Sequence, residues 1–205
     1  MLNYEKENYK DYKLIAGCDE AGRGCCAGPL VVAAVIMNPD YVNDAINDSK
    51  QLSEPKREQL FEIIKENALS YQIKVISNKE VDELNPKAAS RYGMFLAVKD
   101  LKIKPDLVIT DFEKVENLDI KQINLVKGDA LSFNVACASI LAKVYRDHLM
   151  IDLDKKYPNY NFAKNKGYCT KDHTAAIEKY GICDEHRITY KNVKKALEVF
   201  ESKNN

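Results

Sequence analysis

Four acidic residues follow apolar stretches of the sequence, and they are the first residues that could do chemistry. Asp19 and Glu20 stand where an apolar segment meets a glycine-bearing stretch. Asp111 ends a second apolar segment, and Asp129 follows a third. Carboxylates delivered to one sheet edge suit Mg²⁺, and two such ions about 4 Å apart can hydrolyse a phosphodiester. An acid at a strand end is also a common loop residue, so these positions alone predict only a candidate two-metal hydrolase.

The adjacency of Asp19 and Glu20 sets a geometric condition on this site. Successive residues of a regular strand project to opposite faces of the sheet. Both side chains reach one site only if the chain leaves strand geometry there, which we expect residues 21–24, Ala-Gly-Arg-Gly, to allow.

The elements that would position the acids alternate between strands and helices. The continuous Val/Ala/Ile run at 29–37 is typical of a strand buried on both faces. Together with it, alternation and apolar spacing predict strands over 13–19, 71–77, 105–111 and 123–126, and helices over 53–69, 88–101, 134–157, 171–180 and 192–202. This order favours a mixed α/β sheet layered with helices. Neither an internal repeat nor a linker composition interrupts it.

Composition narrows the class of protein. The 205 residues are 45% hydrophobic and 30% charged, the balance of a soluble globular protein, and no apolar run approaches the ~18 residues of a membrane span. A polar N-terminus without a leader and six cysteines predict a cytoplasmic protein with reduced thiols. Residues 155–205 hold eleven Lys and Arg against six acids, which permits phosphate binding but equally fits a solvated tail.

Residues 17–24, Gly-Cys-Asp-Glu-Ala-Gly-Arg-Gly, resemble the signature of type 2 ribonuclease H, the bacterial ribonuclease HII. The resemblance covers residues 13 to 197, and many matches in one order are far more specific than one motif. The further matching segments are Ala27–Pro29, Asp48–Ser53, Val81–Asn85, Pro105–Asp106, Lys127–Asp129, Ala138–Val144, Arg146–Asp147, Tyr157–Pro158, Lys166–Tyr168 and Thr170–His173.

The resemblance implies a ribonuclease H-like catalytic core over 13–165 and a small helical C-terminal extension over 166–205. It implies an endonuclease that cuts the RNA strand of RNA–DNA hybrids and incises on the 5′ side of single ribonucleotides in duplex DNA. The products would carry a 3′-hydroxyl and a 5′-phosphate, in ribonucleotide removal and RNA primer removal. The cofactor would be Mg²⁺ or Mn²⁺ in a two-metal site, held by the catalytic acids Asp19, Glu20, Asp111 and Asp129.

Substrate recognition is implied at two further places. The resemblance assigns the 2′-hydroxyl contact to the loop Gly22, Arg23 and Gly24, together with Tyr168, whose ring can pack on the next deoxyribose. Phosphate contacts are expected from Arg23, Lys50, Ser139 and Lys143. Without the resemblance, Ser139 and Lys143 read as a core-facing serine and a lysine that lies along the surface, and Tyr168 as surface packing.

The implied partner is the nucleic acid itself, an RNA–DNA hybrid or a DNA duplex with an embedded ribonucleotide. We expect a monomer with no membrane partner, and the C-terminal residues show no clamp-docking motif. Two features of the sequence depart from the family pattern. Cys25 and Cys26 are adjacent in the sequence, and such a pair can be sensitive to oxidation. Packing in the core is the commoner role of cysteines of this kind. Phe112 is bulky where a small residue is typical, which affects the expected shape of that loop.

The sequence leaves one alternative function open and argues against two others. A zinc-binding nucleic-acid module without catalysis would use Cys169, His173, Cys183 and His186, whose spacing brackets a predicted helix. A nucleotide-driven helicase is excluded because the sequence contains no Gly-Lys dipeptide for a P-loop. A serine or thiol hydrolase has no support, because all three histidines are distant in sequence from the glycine loop.

Overall fold

The computed structural model describes residues 4–47 and 49–204, without the side chain of Lys50. Asp48, which belongs to one of the matching segments, lies outside the described residues. The strands are β1 (Ile15–Ala21), β2 (Leu30–Met37), β3 (Ala68–Ile76), β4 (Leu107–Asp111) and β5 (Lys121–Leu125). The α-helices are α1 (Tyr4–Asn8), α2 (Glu54–Asn67), α3 (Asn78–Leu84), α4 (Pro86–Lys99), α5 (Gly128–Leu131), α6 (Phe133–Lys156), α7 (Phe162–Asn165), α8 (Lys171–Tyr180) and α9 (Lys191–Asn204).

The described chain packs as two compact units. Unit 1 contains the described residues up to Ala21, those of Val31–Val75, and Ser90–Val144. Unit 2 contains Gly22–Leu30, Ile76–Ala89 and the described residues from Tyr145 onward. The predicted division into a core over 13–165 and an extension over 166–205 stays a prediction.

Unit 1 is built on a sheet with the strand order β3-β2-β1-β4-β5 among the described residues. β1 pairs antiparallel with β2 and parallel with β4, and β4 pairs parallel with β5. Every residue of β2 is buried, as its uninterrupted apolar sequence predicts. Beside it, Leu107 and Ile109 of β4 pack with Val135 of α6 in one apolar cluster. The parallel strands β1, β4 and β5 therefore end at one edge of a well-packed sheet.

Unit 2 contains a separate apolar cluster built around helix α8. Tyr160 and Phe162 stack at 5.5 Å between ring centroids and pack with Met150, Ile177 and Ala196. The Thr170 side chain caps α8 by accepting the His173 N–H, and a capping box formed by Ser77 and Glu80 begins α3. Local capping and one shared apolar cluster account for the order of this unit.

The predicted mixed sheet flanked by helices is confirmed, with differences at the element boundaries. The strand predicted over 71–77 begins at Ala68, because pairing at the sheet edge takes residues that helical spacing had assigned to the preceding helix. The short helices α1, α3 and α5 were not predicted, since each spans too few residues to show helical periodicity. β5 extends over Lys121–Leu125, so only its second half coincides with the predicted segment.

Candidate active site

Parallel pairing brings the first two acids to one edge of the unit 1 sheet. Cys18 of β1 lies opposite Thr110 of β4 in the register, so Asp19 and Asp111 occupy the next position on adjacent strands. Residues at the same position on neighbouring strands share a face of the sheet. The register therefore places these two carboxylates side by side where β1 and β4 end.

Asp19 is 6% exposed, an unusual environment for an ionised side chain. Its Oδ1 accepts a hydrogen bond from the Glu20 N–H at 2.8 Å, and its carboxylate also accepts one from the Ser139 hydroxyl. Burial is the main cause that raises the pKa of Asp19 well above its usual range, followed by repulsion from Glu20, with Asp111 contributing further. Two neighbouring acids, Glu20 and Asp111, therefore repel the negative charge of the buried Asp19 carboxylate.

Glu20 remains within a regular strand. The strand continues through Ala21, and the chain leaves strand geometry only at Gly22, whose φ is +94°. The break therefore comes later than a shared site of Asp19 and Glu20 requires. Its Oε2 accepts a hydrogen bond from the buried Ser90 hydroxyl of α4 at 2.9 Å. Ser90 had no signal in the sequence, because serine inside a helix is ordinary.

Asp111 and Asp129 are held together by the start of α5. Asp111 Oδ1 accepts the Gly128 N–H at 2.8 Å, and Asp129 follows in the first turn of the same helix, buried. A Cβ on Gly128 would lie 3.2 Å from the Thr110 carbonyl oxygen, so the close approach of α5 to β4 favours glycine. The fourth acid therefore comes to the strand ends from a helix rather than from a strand.

The residue after Asp111 shows how the bulky side chain is accommodated. Phe112 has φ +65° and is 60% exposed, so its ring projects outward and does not crowd the adjacent acid. Glu113 then turns inward and is almost fully buried, where it forms an ion pair with Arg91 at 2.9 Å. The atypical Phe112 leaves the position of Asp111 at the strand end intact.

The four acids, Asp19, Glu20, Asp111 and Asp129, form what we call the acidic edge. Their donors are all carboxylate oxygens, the ligand type that hard divalent cations prefer. Within the described part of the chain, no three Asp, Glu, His or Cys side chains already converge in metal-binding geometry. Burial first, and repulsion from Glu20 and Asp111 after it, raise the pKa of Asp19. The acidic edge thus fits a divalent cation in donor chemistry and charge, and a cation would offset the repulsion between its acids.

In unit 2, residues Gly22–Cys25 form a tight turn, closed by a hydrogen bond from the Cys25 N–H to the Gly22 carbonyl at 3.3 Å. We call this segment the recognition turn. Two buried arginines surround it. Arg187 donates to the carbonyl oxygens of Gly22, Arg23 and Gly28, and Arg146 donates to those of Ala27, Pro29 and Lys166.

Arg146 also explains the glycine at position 22. A Cβ there would lie 2.0 Å from the Arg146 Nε, and the φ of +94° favours glycine independently. In the sequence, Arg146 stands out only as part of the matching segment Arg146–Asp147. Arg187 stands out only as one of the basic residues of 155–205. Their buried role had no signal in composition or spacing.

Tyr168, also in unit 2, is 48% exposed. Burial of its remaining surface is the main cause that raises its pKa, and the Cys25 thiol adds to the shift. The hydroxyl therefore stays protonated at neutral pH, and the exposed part of the ring is available for contact with another molecule.

The remaining predicted substrate residues lie in unit 1. Ser139 is buried, and its hydroxyl contacts Ser49 Oγ at 2.9 Å as well as donating to Asp19. Lys143 is half-buried one helical turn further along α6. Lys50 stands in a 3₁₀ turn over Ser49–Gln51, and its side chain lies outside the described part. All phosphate contacts stay predictions.

The cysteine and histidine pairs of the zinc alternative meet in unit 2 in another arrangement. His173 Nε2 and His186 Nε2 lie 3.0 Å apart, so one ring donates a hydrogen bond to the other. Burial lowers the pKa of both, that of His186 to about 4, with His173 as its second cause. Cys169 Sγ contacts the Thr174 hydroxyl at 3.8 Å. His173, His186 and Cys183 are therefore joined by side-chain contacts, whereas Cys169 contacts Thr174, and across the described residues no zinc-type grouping is formed.

None of the described helices is both long enough and apolar enough to span a membrane.

Comparisons with known proteins identify the family and the fold. A family model described as ribonuclease HII matches residues 16–193. A ribonuclease HII from Mycoplasma capricolum subsp. capricolum is 54% identical over 182 residues, which cover 88% of this chain and 88% of that protein. The crystal structure of the ribonuclease H2 from Pyrococcus horikoshii OT3 has a TM-score of 0.79 at 27% identity, covering 92% of this chain and 99% of that one. A chain in the structure of the PCNA:RNase HII complex from Archaeoglobus fulgidus has a TM-score of 0.76 at 26% identity, covering 89% and 96%.

Proposed function

Since this chain belongs to the ribonuclease HII family and is a ribonuclease H-type endoribonuclease, we propose the finer features of its reaction. The enzyme hydrolyses the RNA strand of RNA–DNA hybrids and also incises on the 5′ side of single ribonucleotides embedded in duplex DNA. The products carry a 3′-hydroxyl and a 5′-phosphate. The cellular role is removal of misincorporated ribonucleotides and of RNA primers, performed by a cytoplasmic monomer.

The observation that carries the proposal is the environment of Asp19. A buried carboxyl whose pKa is raised by burial and by two neighbouring acids is poised to bind cations, because a divalent ion offsets the repulsion. Asp19, Glu20, Asp111 and Asp129 would hold Mg²⁺ or Mn²⁺. Two bound ions supply an activated water and charge stabilisation at the leaving oxygen.

The residues of the chain itself have the task of keeping these acids in place. Ser139 donates to Asp19, Ser90 to Glu20, and the Gly128 N–H to Asp111. An ionised carboxylate accepts about four hydrogen bonds, so one such donor does not by itself saturate an acid. The acids are thereby oriented before substrate and cation arrive.

Recognition of the ribonucleotide rests on the 2′-hydroxyl, the one group that distinguishes RNA from DNA at that position. Backbone groups of Gly22, Arg23 and Gly24 contact this hydroxyl, and the exposed ring of Tyr168 packs on the sugar of the following deoxynucleotide. Arg23, Lys50 and Lys143 contact phosphates, which position the strand without reading its sequence. Ser139, the fourth predicted phosphate contact, instead donates its one hydroxyl hydrogen to Asp19.

The test compares three substrates: a DNA duplex with one ribonucleotide, a long RNA–DNA hybrid and an all-DNA duplex. Each is incubated with Mg²⁺, with Mn²⁺ and with EDTA, and the products are resolved at nucleotide resolution. We expect metal-dependent cleavage on the 5′ side of the ribonucleotide and no cleavage of DNA alone. Cleavage of the hybrid without the single-ribonucleotide substrate would refute the proposed junction recognition. Cleavage of neither substrate in either metal would refute the proposed function.

A Tyr168→Ala variant isolates the ring in the same assay. We expect it to lose more activity on the single-ribonucleotide duplex than on the long hybrid, because a long hybrid offers many equivalent positions and needs no junction contact. An equal effect on the two substrates would return Tyr168 to a packing role.

A further inference from the structure

The recognition turn has a central peptide group whose orientation is not determined by the turn itself. That group joins Arg23 to Gly24, the two middle residues of the turn. Common β-turns differ mainly by a flip of this peptide, and the flipped form requires a residue with positive φ at the third position. Gly24 stands there, and glycine adopts positive φ readily. A tether outside the turn must therefore hold one of the two orientations.

The structure supplies such a tether in Tyr190. Its hydroxyl donates to the Arg23 carbonyl oxygen at 2.5 Å, and Arg187 Nη1 donates to the same oxygen at 3.1 Å. Arg187 Nη1 also donates to the Tyr190 hydroxyl oxygen at 2.9 Å, and its guanidinium lies 5.4 Å from the centre of the Tyr190 ring. Three hydrogen bonds thus join one carbonyl, one hydroxyl and one guanidinium.

The tether determines where the other half of the peptide faces. In a planar trans peptide, the carbonyl oxygen and the following N–H project in opposite directions. Because the Arg23 carbonyl is drawn toward Arg187 and Tyr190, the Gly24 N–H faces away from them. Gly24 itself is exposed, and a Cβ built on it meets nothing within 4 Å. The Gly24 N–H therefore belongs to an exposed stretch of backbone with open space beside its Cα.

We propose that Tyr190 is a specificity-determining positioning residue, whose hydroxyl locks the central peptide of the recognition turn so that the Gly24 N–H is presented to the ribose 2′-oxygen. This inference rests on the proposed function of the turn and adds the residue that orients it. Tyr190 does not touch the substrate in this scheme. Its loss allows the peptide to flip, which replaces a donor by a carbonyl acceptor at the recognition surface.

The experiment measures binding in EDTA, where no cleavage occurs, by fluorescence anisotropy. The quantity of interest is the ratio of Kd for an all-DNA duplex to Kd for the same duplex with one ribonucleotide. In Tyr190→Phe, which keeps the ring over Arg187, we expect this ratio to fall about 3- to 10-fold, the range for loss of one hydrogen bond. Affinity for the all-DNA duplex should stay unchanged.

A matched control is available in the same unit. The buried Tyr160 hydroxyl donates to the Gly181 carbonyl oxygen at 3.1 Å, a bond of the same kind away from the recognition turn. Tyr160→Phe should leave the ratio at the wild-type value, and thermal unfolding should show that both variants fold. An equal fall in the two variants would overturn the proposal in favour of a general structural effect.

A second variant tests the flip directly. Gly24→Ala disfavours positive φ and so penalises the flipped turn without any tether. In the Gly24→Ala background, Tyr190→Phe should therefore reduce the ratio less than 2-fold, by the expected coupling of the two sites. An undiminished effect in that background would overturn the peptide-flip explanation.

The outcomes separate this inference from the proposed function. If the wild type discriminates in binding and cuts beside the ribonucleotide while Tyr190→Phe does the same with an unchanged ratio, only the role of Tyr190 is wrong. If the wild-type ratio is near one, the recognition role of the turn and this inference both fail.

Discussion

The acidic edge of unit 1 and the recognition turn of unit 2 are both rich in buried polar groups, but their electrostatics are opposite. At the acidic edge, repulsion between neighbouring acids adds to the cost of burying Asp19. At the recognition turn, the buried cations Arg146 and Arg187 donate to backbone carbonyls, so guanidinium donors and carbonyl acceptors are paired with each other. The first region therefore concentrates like charge, whereas in the second the buried positive charges meet carbonyl oxygens of the protein.

This difference separates catalysis from recognition in physical terms. A site that must bind cations retains unfavourable charge, which lowers stability and raises affinity for the ion. A site that must discriminate one hydroxyl gains from a rigid arrangement of donors, because a preorganised donor costs no ordering when the ligand binds. Substitutions at the acidic edge should therefore lower activity more than stability. Substitutions around the recognition turn should lower stability more than activity.

The largest expected effect is on catalysis at the acidic edge. Asp19→Asn should lower the cleavage rate by about 10³-fold or more, because stabilisation by a bound ion is worth several kcal/mol. The fold should be retained, as judged by far-UV circular dichroism. Asp119→Asn, at an exposed acid of the same unit, serves as the control and should leave the rate unchanged. An Asp19→Asn rate within ten-fold of wild type would show that this carboxylate is dispensable.

Substitution of the residues that hold the recognition turn should mainly lower the free energy of unfolding. Arg187→Met removes both guanidinium donors of the Gly28 carbonyl and one donor of the Gly22 carbonyl, which keeps the Cys25 N–H, and a lost buried hydrogen bond costs about 1–3 kcal/mol. We expect the free energy of unfolding in urea to fall by about 3–5 kcal/mol. The exposed Lys191→Met provides the comparison for loss of a positive charge. Equal stability of the two variants would contradict the view that Arg187 holds this turn together.

Between these extremes lies the hydroxyl that holds Glu20. Ser90→Ala removes a buried donor to the carboxylate without removing a ligand, so we expect cleavage to fall about 10-fold, as is typical for residues that orient metal ligands. Increasing Mg²⁺ should restore part of the rate. Ser70→Ala removes another buried serine hydroxyl, one that accepts the Lys102 N–H, and should have no effect on the rate. Identical rates for Ser90→Ala and wild type would exclude a positioning role.

The sequence predicts features that depend on neighbouring residues better than features that depend on residues far apart in the chain. Strand patterns and the family resemblance were sufficient for the sheet and for the position of Asp19 and Asp111 at its edge, because strand register alone places these two. The metal-binding role of the four acids stays a prediction. The roles of Ser90, Arg187 and Tyr190 depend on contacts 70 to 167 positions apart in sequence. Periodicity and local spacing carry no information about such contacts, so side chains that support a site escape sequence reasoning more easily than those that form it.

The smallest expected effect concerns the pH dependence of stability without metal. Burial and neighbouring acids raise the pKa of folded Asp19 above its unfolded value of about 3.9. Between those two values the folded state binds more protons, so the free energy of unfolding falls as pH rises through that window. Each unit of upward shift corresponds to about 1.4 kcal/mol, and structural relaxation reduces the observed loss.

Asp19→Asn isolates this contribution, because the amide cannot ionise. Buried Glu5 has its pKa raised as well, mainly by burial, so the wild-type profile contains both groups and only the difference between the two proteins reports Asp19. In EDTA, Asp19→Asn should be more stable than wild type above the window and nearly equal below it, in urea unfolding from pH 3 to 8. Addition of Mg²⁺ at pH 8 should stabilise wild type more than the variant, since binding to the folded state alone raises stability. A variant that is less stable than wild type in EDTA at pH 8 would mean that Asp19 stabilises the fold, and the contrast between the acidic edge and the recognition turn would no longer hold.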